Sequence, residues 1–181
     1  MALTKSQTQL LVIMGIALLS LGGSYLLFYL AQDGEGWGTT NHGRFVQPHT
    51  NVKDLGWHAD PSDVTQQARW WLWVVADQCD AVCLQQLKDL RAAHILLNRE
   101  ASRVKRGFTQ LGGLQDLSFL KESDSLAGSI AQISVHDTST LQPGVYIVDP
   151  IGNLVFHYTM DQSPKEILTD LKRLLKVSQI G

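Results

Sequence analysis

The chain opens on an apolar run, residues 10–31, in which the only polar groups are Ser20, Ser24 and the hydroxyls of Tyr25 and Tyr29. A helix of that length crosses a hydrocarbon core, and Gly15, Gly22 and Gly23 are tolerated in such a helix. A cleaved signal peptide would have a shorter apolar stretch followed by small residues. Here Tyr-Leu-Leu-Phe-Tyr-Leu-Ala-Gln-Asp follows (residues 25–33), so an uncleaved anchor is expected. Residues 32–62 are polar and aperiodic, with Gly34, Gly36, Gly38 and Trp37 at their start, as in a linker and an extended segment. Residues 70–76 are continuously apolar and rich in aromatic and β-branched side chains, the pattern of a central strand covered on both faces. From 80 to 98 the period is helical, with Val82, Leu87, Leu90, His94 and Leu97 on one stripe.

The alternation continues to the C-terminus. Residues 104–111 form a second candidate strand, ended by Gly112-Gly113, and 114–123 a short helix with Leu117 and Leu120 inward. Residues 130–135 and 145–148 are strands. Asp149-Pro150-Ile151-Gly152-Asn153 is turn chemistry that folds 154–158 back as a hairpin partner. The last helix begins at a capping box, with Ser163 as N-cap, Pro164 at the first helical position and Glu166 two residues on. Its apolar face is Ile167, Leu168, Leu171, Leu174 and Leu175. A strand, helix, strand half followed by a hairpin and a helix is the order of an α/β, thioredoxin-like domain. The expected organisation is a cytoplasmic N-terminus (1–9), a transmembrane helix (10–31), a linker and extended segment (32–62) and a thioredoxin-like domain (63–181).

Charge changes the picture only at the ends of the apolar run. Charged residues are 18% of the chain, the net charge is −2 and the pI is about 6.3, which excludes the basic footprint of a nucleic-acid-binding protein. Lys5 precedes the run, while Asp33 and Glu35 follow it. The positive-inside rule then keeps the N-terminus in the cytoplasm. The domain is expected on the periplasmic side of the inner membrane, where disulfides can form.

The chain has two cysteines, Cys79 and Cys83, at the junction of the first strand and its helix. If both are helical, residues four apart share a face, and a Cα separation of about 6 Å is within disulfide reach. The helix N-terminus favours a thiolate, while Asp77 and Asp80 oppose it. Two thiolates suit Cu(I), with an imidazole as third ligand; zinc would require two histidines besides. His136, in the loop after the 130–135 strand, is the candidate imidazole. His94 reads as a packing or surface residue, and His157 lies in the last strand. A fixed structural disulfide is the alternative, although so short a loop removes little unfolded-chain entropy. Trp70, Trp71 and Trp73 read as packing, and Asn41-His42-Gly43-Arg44 as surface.

Residues 74–87, Val-Val-Ala-Asp-Gln-Cys-Asp-Ala-Val-Cys-Leu-Gln-Gln-Leu, and 145–153, Val-Tyr-Ile-Val-Asp-Pro-Ile-Gly-Asn, resemble the two corresponding blocks of the Sco/SenC family. Those are membrane-anchored, thioredoxin-like copper proteins of cytochrome c oxidase assembly. The resemblance implies a redox pair at Cys79 and Cys83, Cu(I) as the metal, no organic cofactor, and an oxidase subunit or another assembly factor as partner. A metallochaperone or thiol-redox factor is implied rather than a metabolic enzyme. Asp80 and Leu84 stand where that family has prolines, and Leu141 where it has its histidine, five residues before Tyr146. Residues 143–149, Pro-Gly-Val-Tyr-Ile-Val-Asp, also resemble the cis-proline segment of TlpA/ResA-type thiol–disulfide proteins. That likeness implies a cis Pro143 facing the cysteines.

Overall fold

A computed structural model describes residues 4–32, 40–59, 68–112 and 130–178. The expected helix at 114–123, the residue Trp37 and most of the Gly-rich linker lie outside the described residues. The chain divides into two compact units, residues 1–40 and 41–181.

The first unit is built on one helix, α1 (Lys5–Gln32). Its segment Lys5–Leu30 is long and apolar enough to cross a membrane. The two serine hydroxyls of its apolar run are satisfied within the helix. Ser20 Oγ donates to the Ala17 carbonyl (2.9 Å) and Ser24 Oγ to that of Ser20 (2.8 Å), so neither demands a partner from lipid.

Among the described residues the second unit is a seven-stranded sheet with helices on one face. Its strands are β1 (Arg44–Phe45), β2 (His58–Ala59), β3 (Trp70–Ala76), β4 (Val104–Gln110), β5 (Ala131–Ser134), β6 (Gly144–Val148) and β7 (Leu154–Tyr158), in the spatial order β1-β7-β6-β3-β4-β5-β2. The centre, β3, is parallel to β4 and antiparallel to β6, and β6–β7 is the expected hairpin. Every residue of β3 is buried, as its unbroken apolar run requires. Alternate side chains serve two cores. Trp70, Leu72, Val74 and Ala76 pack beneath α2 (Ala81–Ile95) and α3 (Pro164–Val177), together with Phe108, Ile147 and Leu171.

On the other face Trp71, Trp73 and Val75 meet Val52, Leu55 and Trp57 from the segment before the sheet. Trp57 stacks on Trp73 (centroids 5.1 Å apart) and meets Trp71 edge-on (5.3 Å). The fully buried Trp73 indole donates to Thr109 Oγ1 (2.8 Å), whose hydroxyl donates to the Ile133 carbonyl (2.9 Å). This relay ties β3, β4 and β5 together.

Three local expectations change. The helix after β3 stops at Ile95 and a 3-10 segment, Asn98–Arg103, carries the chain into β4; His94 Nε2 lies within hydrogen-bonding distance of the Ala101 (2.9 Å) and Val104 (3.0 Å) carbonyls at this corner. Ser163 does cap α3 in position, but its side chain makes no capping bond. Glu166 instead takes Gln162 Nε2 and faces His42 Nδ1 at 3.9 Å.

Residues 41–44 are not merely surface. The amides of His42 and Gly43 and the Tyr158 hydroxyl all donate to one oxygen of Asp170, at 2.7, 3.0 and 3.0 Å. Gly43 lies so close to the Tyr158 ring that a Cβ would sit 2.5 Å from it. Asp170 is 1% exposed. Burial, and the Asp170 carboxylate beside it, push the Tyr158 phenol far above its ordinary pKa.

Candidate redox site

The site begins where β3 ends. The Ala76 carbonyl accepts the Leu111 amide (2.8 Å) and the Asp77 carbonyl the Gly112 amide (3.2 Å), so the end of β4 holds the loop. A Cβ on Gly112 would lie 2.7 Å from the Asp77 oxygen, and this close approach selects glycine. Asp80 then sits in extended backbone as the N-cap of α2. Its Oδ1 accepts the amides of Val82 (3.1 Å) and Cys83 (3.0 Å). Asp is among the strongest N-caps, so the helix starts after it. Cys79 therefore lies outside the helix and Cys83 in its first turn.

The two are joined in a disulfide across the cap, with S–S 2.11 Å and Cα atoms 5.1 Å apart. A shared helical face required both cysteines to be helical, and the cap leaves Cys79 outside the helix. The helix N-terminal amides are occupied by the Asp80 carboxylate rather than left open to a sulfur.

The two sulfurs differ in access. Cys83 is 2% exposed and part of the core beneath α2, whereas Cys79 is partly exposed and packs on that core's edge. A cavity of about 440 Å³ opens beside them. Its wall includes Asp77, Asp80, Val82, Cys83, Pro143 and Met160. Val82 is half exposed at its mouth and the Asp77 and Asp80 side chains are exposed.

In the same cavity wall, Pro143 is held in place from β6 and β7. Gly144 has φ +154°, and a Cβ there would meet the Tyr158 carbonyl at 2.2 Å and His157 Nε2 at 2.4 Å. His157 Nε2 lies 3.2 Å from the Pro143 carbonyl. Burial lowers the pKa of His157 from its ordinary value, against a smaller raising effect of that bond. The neutral ring therefore carries its proton on Nε2 and donates to Pro143. Among the described residues the cis peptide is Gln47–Pro48. Pro143 lines the same cavity as Cys83, but its peptide bond is trans.

The residues named from the sequence are only partly brought together. Cys79 and Cys83 meet. His136 belongs to the other face: its amide donates to the Leu55 carbonyl (3.0 Å) and its ring lies edge-on to His58 (5.6 Å), and Leu55 is in the core opposite the helices. Among the described residues no group of three or more His, Cys, Asp or Glu side chains could hold a metal. Pro143 and Met160 line the same cavity as Cys83.

Residues 70–178 match the family model described as "Transmembrane-like, thioredoxin-like, C-terminal domain". The chain belongs to this family. Its match begins at the first residue of β3 and ends one residue after α3. No curated protein matches the sequence.

Among solved structures, the apo Sco1 protein of Thermus thermophilus is similar at 18% identity and a TM-score of 0.56, covering 77% of this chain and 99% of that one. Bradyrhizobium japonicum ScoI with copper bound is similar at 16% identity and TM-score 0.45, covering 72% and 98%. BsSco, described through its disulfide switch, is similar at 13% identity and TM-score 0.47, covering 77% and 98%. The first of these shows that the thioredoxin-like domain has the fold of a Sco-type protein.

Proposed function

We propose that this chain is a membrane-anchored, extracytoplasmic thiol–disulfide factor that assists the assembly of cytochrome c oxidase. Its Cys79–Cys83 pair cycles on cysteines of a partner. The observation that carries the reading is the asymmetry of the pair: a partly exposed Cys79 is bonded to a buried Cys83 at the wall of an open cavity. A disulfide placed only for stability has no need of an accessible sulfur. The link to oxidase assembly is supported by the resemblance of residues 74–87 and 145–153 to the Sco/SenC blocks. The periplasmic side is supported by Lys5 before the apolar helix and Asp33 and Glu35 after it.

In the oxidised form, a partner thiolate attacks Cys79 Sγ. The S–S bond breaks, its electron pair leaves on Cys83 Sγ, and that sulfur takes up a proton. A second partner thiolate then displaces Cys79, leaving the partner's disulfide and this chain's dithiol. Run in reverse, the dithiol reduces a partner disulfide. Cu(I) delivery by the reduced pair is a second reading, favoured by the softness of two thiolates. In this conformation the pair and His136 do not form a donor set for it.

The test is made in a cell that lacks the gene. The wild-type chain is expected to restore cytochrome c oxidase activity, and the Cys79→Ser/Cys83→Ser double variant to leave it at the level of the empty strain. Rescue of that variant by an added thiol reductant supports redox control, and rescue by added copper supports delivery. A double variant as active as wild type would leave only the scaffold with a fixed disulfide.

A further inference from the structure

We propose that the outward face of α3 docks on the anionic phospholipid headgroups of the membrane that α1 crosses. The inference rests on the reading of α1 as a membrane anchor and on nothing in the chemistry of the cysteines. The exposed residues of α3 are Lys165, Lys172, Arg173, Lys176 and Val177, so every exposed charge on this helix is positive. The whole chain, by contrast, carries a net charge of −2. Arg173 turns toward the buried Asp170 carboxylate (3.8 Å). Lys172 and Lys176 lie seven and eleven positions beyond Lys165, so the three lysines fall on one stripe. Among the described residues none of the three forms an ion pair. The neighbouring carboxylate of Glu166 is engaged with Gln162 and His42.

Two ordinary explanations of this stripe fall short. A solvated helix face intersperses both signs of charge, and here one sign is missing. The helix dipole favours cations in the last turn, which accounts for Lys176. It opposes Lys165, which follows Pro164 in the first turn.

The tether points to the partner. The anchor helix ends at Gln32, and eight residues, 33–40, precede Asn41. A chain of eight residues reaches at most about 29 Å. It is fastened to α3 itself, since the His42 and Gly43 amides donate to the Asp170 carboxylate. The lysine stripe therefore stays within reach of the headgroups, where each lysine near an anionic surface is worth about fivefold in the docked population. Asp33 and Glu35 of the tether compete for the stripe, but two carboxylates do not balance three ammonium groups.

The test uses the full chain, isotope-labelled for NMR, in lipid nanodiscs of phosphatidylcholine alone or mixed with phosphatidylglycerol. Each disc carries a trace of lipid with gadolinium on its headgroup, which speeds the relaxation of nearby amides. In anionic discs the amides of residues 165–177 should relax faster than those of β2 and β5, at the other edge of the sheet from β1 and β7. In neutral discs the difference should vanish, as it should at about 1 M salt, where the screening length falls to about 3 Å. Lys165→Gln/Lys172→Gln/Lys176→Gln exchanges exposed side chains of similar helix propensity. It should shift the docking equilibrium on the order of a hundredfold toward release, at about fivefold for each lysine. The proposal is overturned if α3 relaxes no faster than β2 and β5 in anionic discs, or if the triple variant behaves as wild type. It also fails if lipid charge makes no difference, the result expected when Asp33 and Glu35 cover the stripe. A chain that alkaline carbonate washes out of phospholipid vesicles would refute the anchor itself, and this docking with it.

Discussion

Asp170→Ala is expected to destabilise the domain by about 3–5 kcal/mol. The substitution leaves the His42 amide, the Gly43 amide and the Tyr158 hydroxyl without their common acceptor, and a buried polar group left unsatisfied costs about 1–3 kcal/mol. Some relaxation around the smaller side chain keeps the total below the simple sum. With a urea m-value of about 2 kcal/mol/M for a domain of this size, the unfolding midpoint of the full chain in detergent should fall by about 2 M. Tyr158→Phe removes one donor and leaves the others bonded, so it should cost only about 1 kcal/mol. Equal midpoints for wild type and Asp170→Ala would mean that this carboxylate does not hold residues 41–43 to α3.

A second large effect is expected at the cysteines. In Cys83→Ser the remaining thiol is Cys79, on the accessible edge; in Cys79→Ser it is Cys83, 2% exposed beneath α2. An aromatic disulfide reagent should therefore modify Cys79 far faster. If Cys83 reacts only through local opening that costs about 3 kcal/mol, the ratio is on the order of a hundredfold. The same asymmetry makes Cys83→Ser the variant that accumulates a mixed disulfide with a partner, because the resolving thiol is gone. Comparable rates for the two single variants would remove the basis for assigning Cys79 as the entry sulfur.

Much of this fold was legible from side-chain patterning. The uninterrupted apolar run of β3 announced a strand with two covered faces, and the structure divides its side chains between the two cores. The β6–β7 hairpin followed from the turn chemistry of residues 149–153, where the Asp149 carboxylate takes the amides of Ile151 and Asn153. The position of the cysteines at the end of β3 was legible for the same reason.

The features that patterning missed depend on local backbone choice and long-range contact. Asp80 could be seen as a charge near the cysteines; its part as the N-cap that separates them from a common helix is a backbone choice that four-residue spacing does not disclose. Met160 lies 77 positions beyond Cys83 in sequence, and only the fold brings it to the wall of the same cavity.

Asp170 had left a trace. Positions 167, 170, 171, 174 and 175 follow the spacing of a buried helical stripe, and an aspartate within that stripe signals a buried acceptor in need of donors. Gly43, next to the apparently featureless Asn41 and His42, is where those donors come from. His136 was placed correctly after a strand parallel to β3, but the depth of the sheet, set by Leu55 and Trp57 on its far side, carries it away from the cysteine face.

The exchange mechanism requires a Cys79–Cys83 disulfide that opens. Its reduction potential in the full chain, measured by equilibration with a dithiol buffer and quantified by thiol labelling, tests this most directly. An accessible working pair should lie above about −300 mV, the level below which structural disulfides of secreted proteins fall. A value below that, with Cys79 unlabelled in buffers that reduce other exposed disulfides, would make the pair a fixed bridge and contradict the exchange mechanism.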